Sequence, residues 1–227
     1  MGQSIGAIST TGGALTPTDT SLSVVIGPVV SGSAIWVVFE GDGGNPNVSS
    51  ISDGTNSYSY VNSWSCDGNI VVELWVATNV TAGTYTLTAT LSGTYNTNVM
   101  GAVEIKGAPP NWYCLTDSEC SADDTTIVGS ADPTYVGGLD LMEAGVDNAT
   151  STAPAFTAQG SATAIRFTGA YADLSVYYEV AVIWMAGTGG TDTVGASYSG
   201  GNLAAGLLTI SQNPSPPVVG GPLYSGL

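Results

Sequence analysis

Residues 34–106 read AIWVVFEGDGGNPNVSSISDGTNSYSYVNSWSCDGNIVVELWVATNVTAGTYTLTATLSGTYNTNVMGAVEIK, and the grammar of this stretch decides the fold class. It holds five short runs rich in β-branched and aromatic residues, at 34–39, 58–64, 69–76, 83–91 and 99–105. Each is bounded by Gly, Asn, Asp or Ser. In residues 84–91, Tyr85, Leu87 and Ala89 point one way while Thr84, Thr86, Thr88 and Thr90 point the other. Successive strand side chains face opposite sides of a sheet, so this strand has one buried face and one wet, threonine-rich face. Turn signals recur about every ten residues, the spacing of β-sandwiches and jelly rolls. The expected fold is all-β: a jelly-roll-like β-sandwich of two sheets, with an inserted loop region and extended termini.

Upstream, residues 1–20 are small and polar and read as an extended arm or an edge strand. The first clear strand is 21–26, broken by Gly27–Pro28, and 29–39 resumes it. The turn formers of 40–47 (EGDGGNPN) make a loop with two carboxylates, Glu40 and Asp42. Asp53–Gly54 is a two-residue hairpin signal. A first β portion therefore covers 21–107. Downstream, Ala108–Pro109–Pro110 ends the sheet run, since proline cannot donate to a ladder. Residues 108–133 read as a cysteine-bearing acidic loop excursion. A second β portion follows over 134–211, with strands at 162–167, 176–185, 192–199 and 203–211. The last stretch, 212–227 (QNPSPPVVGGPLYSGL), is too rich in Pro and Gly to form a core element. It is suited to lying across a neighbouring subunit, or is a floppy terminus. No repeat of 20–50 residues marks a solenoid.

Composition narrows the function. Only 9% of the 227 residues are charged, Lys106 and Arg166 are the two basic ones, histidine is absent, and the net charge is −16. Nucleic-acid binding needs cations to displace phosphate counterions, so it is excluded. Anionic membrane surfaces are disfavoured for the same reason. Low charge, abundant Ser, Thr and Gly, and few tryptic sites fit a life outside a cell. Yet MGQSIGAISTTGGALTP has neither the basic nor the apolar region of a secretory signal, and no run reaches a membrane span. Either a leader has been removed, or the protein assembles in the cytoplasm into a particle released by lysis; Met1 favours the second.

Residues 48–107 resemble a β-sandwich module of bacterial surface proteins and tailed-phage structural proteins, with the pattern SVSDxxGNTYT, IWYAxN, AGxxTVTVTxSG and EYSG. The matching stretches here are SISDGTNSYS (50–59), LWVATN (74–79), AGTYTLTATLSG (82–93) and EIKG (104–107). The resemblance implies an adhesive, carbohydrate-binding-like or virion-surface role with no shared catalytic residue. Past Gly107 the pattern is lost.

Candidate sites are few. Cys114 and Cys120 are spaced for a small disulfide loop, leaving Cys66 over or paired with one of them. Zinc is disfavoured with three cysteines and no histidine. Asp117, Glu119, Asp123 and Asp124, or Glu40 with Asp42, have the oxygens a calcium ion takes, without any EF-hand spacing; the alternative is solvated loop acids and no cofactor. Paired carboxylates raise glycoside hydrolysis, but no basic or histidine partner tunes them. Among the aromatics, Trp64, Trp75, Trp112 and Trp184 are weighed for sugar stacking. Trp75 and Trp184 sit in apolar runs and read as core, which leaves Trp112–Tyr113 as the glycan-contact candidate. Asn47, Asn79 and Asn148 open sequons that matter only in a glycosylating context. The expectation is a non-enzymatic virion structural protein, a capsid decoration or fibre-like component. It would be homo-oligomeric and in contact with capsid or other virion proteins. The alternative is a secreted adhesin or carbohydrate-binding module that meets surface glycans.

Overall fold

The apolar runs of this chain are strands of two kinds, and the difference between them sets the layers of the fold. The computed structural model describes residues 3–10, 19–42, 47–66, 70–93, 98–107, 116–121, 126–131, 138–148, 155–171, 176–199 and 203–211, some by backbone alone. The strands of the first half are β1 (Ser4–Ile8), β2 (Ser21–Val29), β3 (Ala34–Asp42), β4 (Val48–Ser52), β5 (Ser59–Cys66), β6 (Ile70–Ala77), β7 (Gly83–Leu91) and β8 (Asn98–Lys106). Those of the second are β9 (Thr116–Ser121), β10 (Thr126–Ala131), β11 (Leu139–Asn148), β12 (Ala155–Ala158), β13 (Thr163–Tyr171), β14 (Val176–Ala186), β15 (Asp192–Ser199) and β16 (Leu203–Ser211). The fold is all-β and sandwich-like.

Each half is a sandwich of one five-stranded and one three-stranded antiparallel sheet. The first has orders β1-β8-β3-β6-β5 and β2-β7-β4; the second has β9-β16-β11-β14-β13 and β10-β15-β12. Adding eight to every strand number turns the first pair of orders into the second. One topology, jelly-roll-like with its fifth strand on the larger sheet, thus occurs twice.

The two five-stranded sheets lie against each other, giving four layers: outer, inner, inner, outer. Alternating strands such as β2 and β7 form an outer sheet, with Leu22, Val24 and Ile26 or Tyr85, Leu87, Ala89 and Leu91 buried and the residues between mostly exposed. Runs apolar on both faces, such as 34–39 of β3, lie in the inner sheets, where both faces are buried. In β3, Ile35, Val37 and Phe39 pack into the first sandwich. Ala34, Trp36 and Val38 pack onto the second, against Leu139, Leu141, Phe167, Val180 and Val182. Met142, Ala144 and Val146 of β11 fill the second sandwich as Ile35, Val37 and Phe39 fill the first. Across the interface β3 lies on β14 and β6 on β11, while β8 lies on β13 and β5 on β16. These pairs interchange when the sandwiches do, so an approximate twofold relates the halves. Two glycines make the close approach possible. A Cβ on Gly101 would fall 2.1 Å from the Phe167 ring, and one on Gly145 would fall 2.6 Å from Glu40 Cγ.

Three sequence expectations change. Residues 108–133 contain β9 and β10, the first two strands of the second sandwich, paired to β16 and β15. The Thr/Ser/Asp-rich sequence hid them because both are short sheet-edge strands. Asp53–Gly54 is not a two-residue hairpin, since β4 and β5 belong to different sheets. The turn instead closes on the Asp53 carboxylate, which accepts from Thr55 N at 2.8 Å and Asn56 N at 2.7 Å. Finally, Glu40 is not a loop acid: β3 runs on to Asp42, and Glu40 is buried between the sandwiches. Within the first twenty residues, Ser4–Ile8 form an edge strand, β1 on β8. Pro28 sits at a register break in β2, an edge strand where a missing donor is tolerated.

Candidate functional site

Charge is scarce in this chain, yet much of it is buried. Glu73, Glu104, Glu143 and Glu179 have no exposed surface, and Asp140 and Asp192 retain 1% and 6%. An ionised carboxylate inside a protein needs hydrogen bonds or a cation. Glu104 of β8 accepts from Val30 N at 2.7 Å and Ser33 Oγ at 2.8 Å on one oxygen, and from Ala7 N at 2.8 Å on the other. It thereby ties β1 and the β2–β3 turn to β8. Glu73 of β6 accepts from Asn47 N, from Val48 N at 3.1 Å and from Trp75 Nε1 at 3.3 Å. Burial pushes its pKa up, against these bonds. Glu179 of β14 accepts from Phe156 N at 2.9 Å and takes a two-pronged contact from Arg166, 2.7 Å from Nε and 2.6 Å from Nη2. That contact pushes the Arg166 pKa up. These groups join strands to one another.

The best-defined acid pair is Asp140 on β11 with Asp192 at the start of β15. Burial first, then the hydrogen bond and charge of Asp192, push Asp140 up to about 7. Asp192 in turn accepts from Thr188 N at 2.7 Å and Thr188 Oγ1 at 2.5 Å. Two adjoining buried carboxyls cannot both ionise cheaply, so below about pH 7 the pair holds a proton.

The sites read from the sequence fall as follows. Asp117, Glu119 and Cys120 lie on β9. Trp112, Tyr113, Cys114, Asp123, Asp124 and the 212–227 tail lie outside the described residues. Among the described residues, no group of three or more His, Cys, Asp or Glu is placed to hold a metal ion. Cys66, at the end of β5, is fully buried and disulfide-bonded. The chain has three cysteines, so this bond takes one of Cys114 and Cys120, and the expected Cys114–Cys120 loop is replaced. Sequence spacing favoured the near pair; the stacking of the sandwiches brings a distant one together. Trp75 is buried and Trp184 partly so, as expected of core residues. Asn47 is 1% exposed, which closes its sequon in the folded chain, whereas Asn79 is exposed.

No family model matches the chain, and neither a curated protein nor a solved structure matches it. The outer face of the first three-stranded sheet is a field of hydroxyls, with Ser21 and Ser23 on β2, Thr84, Thr86, Thr88 and Thr90 on β7, and Ser50 and Ser52 on β4. Ser23 Oγ and Thr88 Oγ1 bond across strands at 2.9 Å. This face meets water without charge. Strand β5 is different. It is the edge of the first inner sheet and exposes Tyr60 (44%) and Trp64 (37%). Tyr60 packs edge-on against Trp75, ring centroids 5.5 Å apart, and donates to Ser63 Oγ at 2.7 Å. Sequence reasoning set aside Trp64 and overlooked Tyr60. The signal was there in SYSYVNSWSC, aromatics set singly among serines, which is a half-wet strand and not a core one.

Proposed function

We propose that the chain is a non-enzymatic structural protein of a virion, a capsid decoration or fibre-like component that works through contacts with neighbouring subunits. The observation that carries this reading is strand β5. Proteins ordinarily guard a sheet edge with lysine or proline against pairing with another chain. Here the edge Ser59–Cys66 has no charged residue and no proline, and shows two aromatics to solvent. Such an edge is built to be covered, by strand addition or by packing of Tyr60 and Trp64 into a neighbour. Three further features agree. The hydroxyl faces keep the remaining surface soluble at low charge. The buried carboxylates brace the body. Residues 48–107, which resemble surface and virion modules, make up β4 to β8 of the first sandwich.

Light scattering on the full chain, on a chain ending at Ser211, and on Trp64→Lys tests the proposal. A stable oligomer, dissociated by at least one of the two changes, is the expected result. Monomers throughout, together with absence of the chain from purified particles by mass spectrometry, would sink it. A second reading, a glycan-binding surface module, is favoured by the same exposed Tyr60 and Trp64, since aromatic faces stack on sugars. It requires binding on a glycan array that is lost in Trp64→Ala.

A further inference from the structure

We propose that Cys66 forms its disulfide with Cys120, which clasps the two sandwiches across their inner sheets and leaves Cys114 as a thiol. Cys66 is buried with Ile70 and Val72 at the edge of the first inner sheet. Its strand, β5, packs on β16 and β9, the last two strands of the second inner sheet. Register fixes the position more closely. Glu40, Val72 and Trp64 stand abreast on β3, β6 and β5. Gly145, Ala205 and Cys120 stand abreast on β11, β16 and β9. Gly145 lies directly on the first row, since a Cβ there would be 2.6 Å from Glu40 Cγ and 2.8 Å from Val72 Cγ2. The two rows therefore overlie one another and run outward together to β5 and β9.

Cys66 is one same-face step beyond Trp64 on β5, and Cys120 is the β9 member of the facing row. Cys114 precedes β9. Thr116, the first residue of that strand, is already about 13 Å from Cys120 at ~3.3 Å per residue. A disulfide needs Cα atoms within about 7 Å. Position along β9 therefore selects Cys120.

The bond forms by exchange with a small disulfide such as oxidised glutathione. One cysteine thiolate attacks that disulfide and releases a small thiol. The other cysteine thiolate then attacks the mixed disulfide and releases the second. The two protein sulfurs lose two electrons to the oxidant, and their two protons end on the released thiols. In a reducing cytoplasm the clasp stays open; it closes once the chain reaches oxidising surroundings.

The test is a disulfide map of the full chain after incubation with oxidised glutathione. Free thiols are blocked with N-ethylmaleimide in denaturant, and the chain is cut with pepsin at low pH, where exchange stops. The expected result is one cross-linked peptide pair holding Cys66 and Cys120, with the maleimide on Cys114. A Cys66–Cys114 or Cys114–Cys120 pair, or three blocked thiols, overturns the proposal. Variants give an independent readout. Cys114→Ser should keep the bond and the melting temperature. Cys66→Ser and Cys120→Ser should each lower the melting temperature by the same amount, with no further loss in the double variant. A bond that survives Cys120→Ser overturns the assignment.

Discussion

Glu73 on β6 and Glu179 on β14 occupy the same place in the two sandwiches. Phe39 pairs with Glu73 and Val146 with Glu179, on corresponding strands. Each carboxylate reaches from an inner sheet to the backbone that opens an outer strand, Asn47 and Val48 at β4 and Phe156 at β12. The sequences around them differ, yet the tie is the same: a carboxylate spans the sandwich and satisfies amides that have no ladder partner there. An amide left buried without an acceptor costs about 1–3 kcal/mol. Glu73→Leu, which strands two, is therefore expected to lose about 2–5 kcal/mol in urea unfolding. Glu73→Gln keeps an acceptor and should lose less than half of that. Equal stability of the Leu variant and the parent would remove the tie from the account.

The second sandwich adds a cation to this device. Arg166 holds Glu179 with its side chain 40% exposed while the carboxylate is fully buried. Removing the partner of a buried charge is worse than removing both. Arg166→Met is expected to lose about 3 kcal/mol, at the low end for such a break because water reaches the guanidinium side. Adding Glu179→Gln to Arg166→Met should restore most of the loss, since the amide oxygen can still accept from Phe156 N. A double-mutant cycle in urea measures the recovery; simple additivity would count against it.

Contact between the sandwiches is set by Gly101 and Phe167. The ring lies so close that any Cβ at 101 would fall inside it, 2.1 Å from Cδ2. Gly101→Ala should therefore force Phe167 off its rotamer or part the inner sheets, at a cost of about 1–3 kcal/mol. Phe167→Leu, cheaper in size, should absorb part of this in the double variant, giving non-additivity of ~0.5 kcal/mol or more. Independent, additive effects would mean that the sheets are not in tight register at this point.

Asp140 makes stability fall as pH rises. Its folded pKa, about 7, stands above the ordinary 3.8, so between those values the folded chain holds a proton that the unfolded chain has released. Stability from this group is full below the unfolded value, declines across the window, and levels off above about 7. Asp140→Asn keeps a donor to Asp192 without the proton. Its unfolding midpoint should exceed that of the parent at pH 8 and converge with it near pH 4. The parent-minus-variant difference cancels the general repulsion of a net charge of −16. A difference that does not change with pH would sink the shared-proton pair.

These effects show which parts of the structure were open to sequence reasoning. Strands 83–91, 192–199 and 203–211 were legible to the residue, and β3, β6, β8 and β14 within a few, because long apolar or alternating runs admit one conformation. Four strands, β9 to β12, were missed in a row. TDSECS of β9 is polar and AFTA of β12 has only four residues, so neither carries a clear strand pattern of its own. Even LDLMEAGVDN, the centre of an inner sheet, mixes charge with glycine: Glu143 and Asp140 are buried acids, and Gly145 makes room for Glu40. The layer order was in principle visible, since runs apolar on both faces must be inner strands and alternating ones outer. The acid pair was not, because Asp140 and Asp192 meet only when β11 and β15 fold onto each other. The Cys66 bond is of the same kind.

Asp53 should behave oppositely to Asp140. Its Oδ1 accepts from Thr55 N and Asn56 N, and its Oδ2 from Asn56 Nδ2 at 2.7 Å and Tyr58 Oη at 2.9 Å. Partial burial pushes its pKa up, but the bonds from Asn56, Thr55 and Tyr58 outweigh it and leave the group below its ordinary value. Burial and Asp53 together push Tyr58 up. A depressed carboxylate contributes stability that is complete above its unfolded pKa of 3.8 and is lost as pH falls through the folded value. Asp53→Ala is therefore expected to cost about 1–3 kcal/mol at pH 6, and clearly less near pH 2, where the parent carboxylate is itself protonated. Asp53→Asn keeps an oxygen for the two backbone amides and should fall between. Urea midpoints at the two pH values decide the point. A penalty that is the same at both would mean that the turn depends on the shape of the residue and not on its charge, and the β4–β5 crossover would then be held by backbone geometry alone.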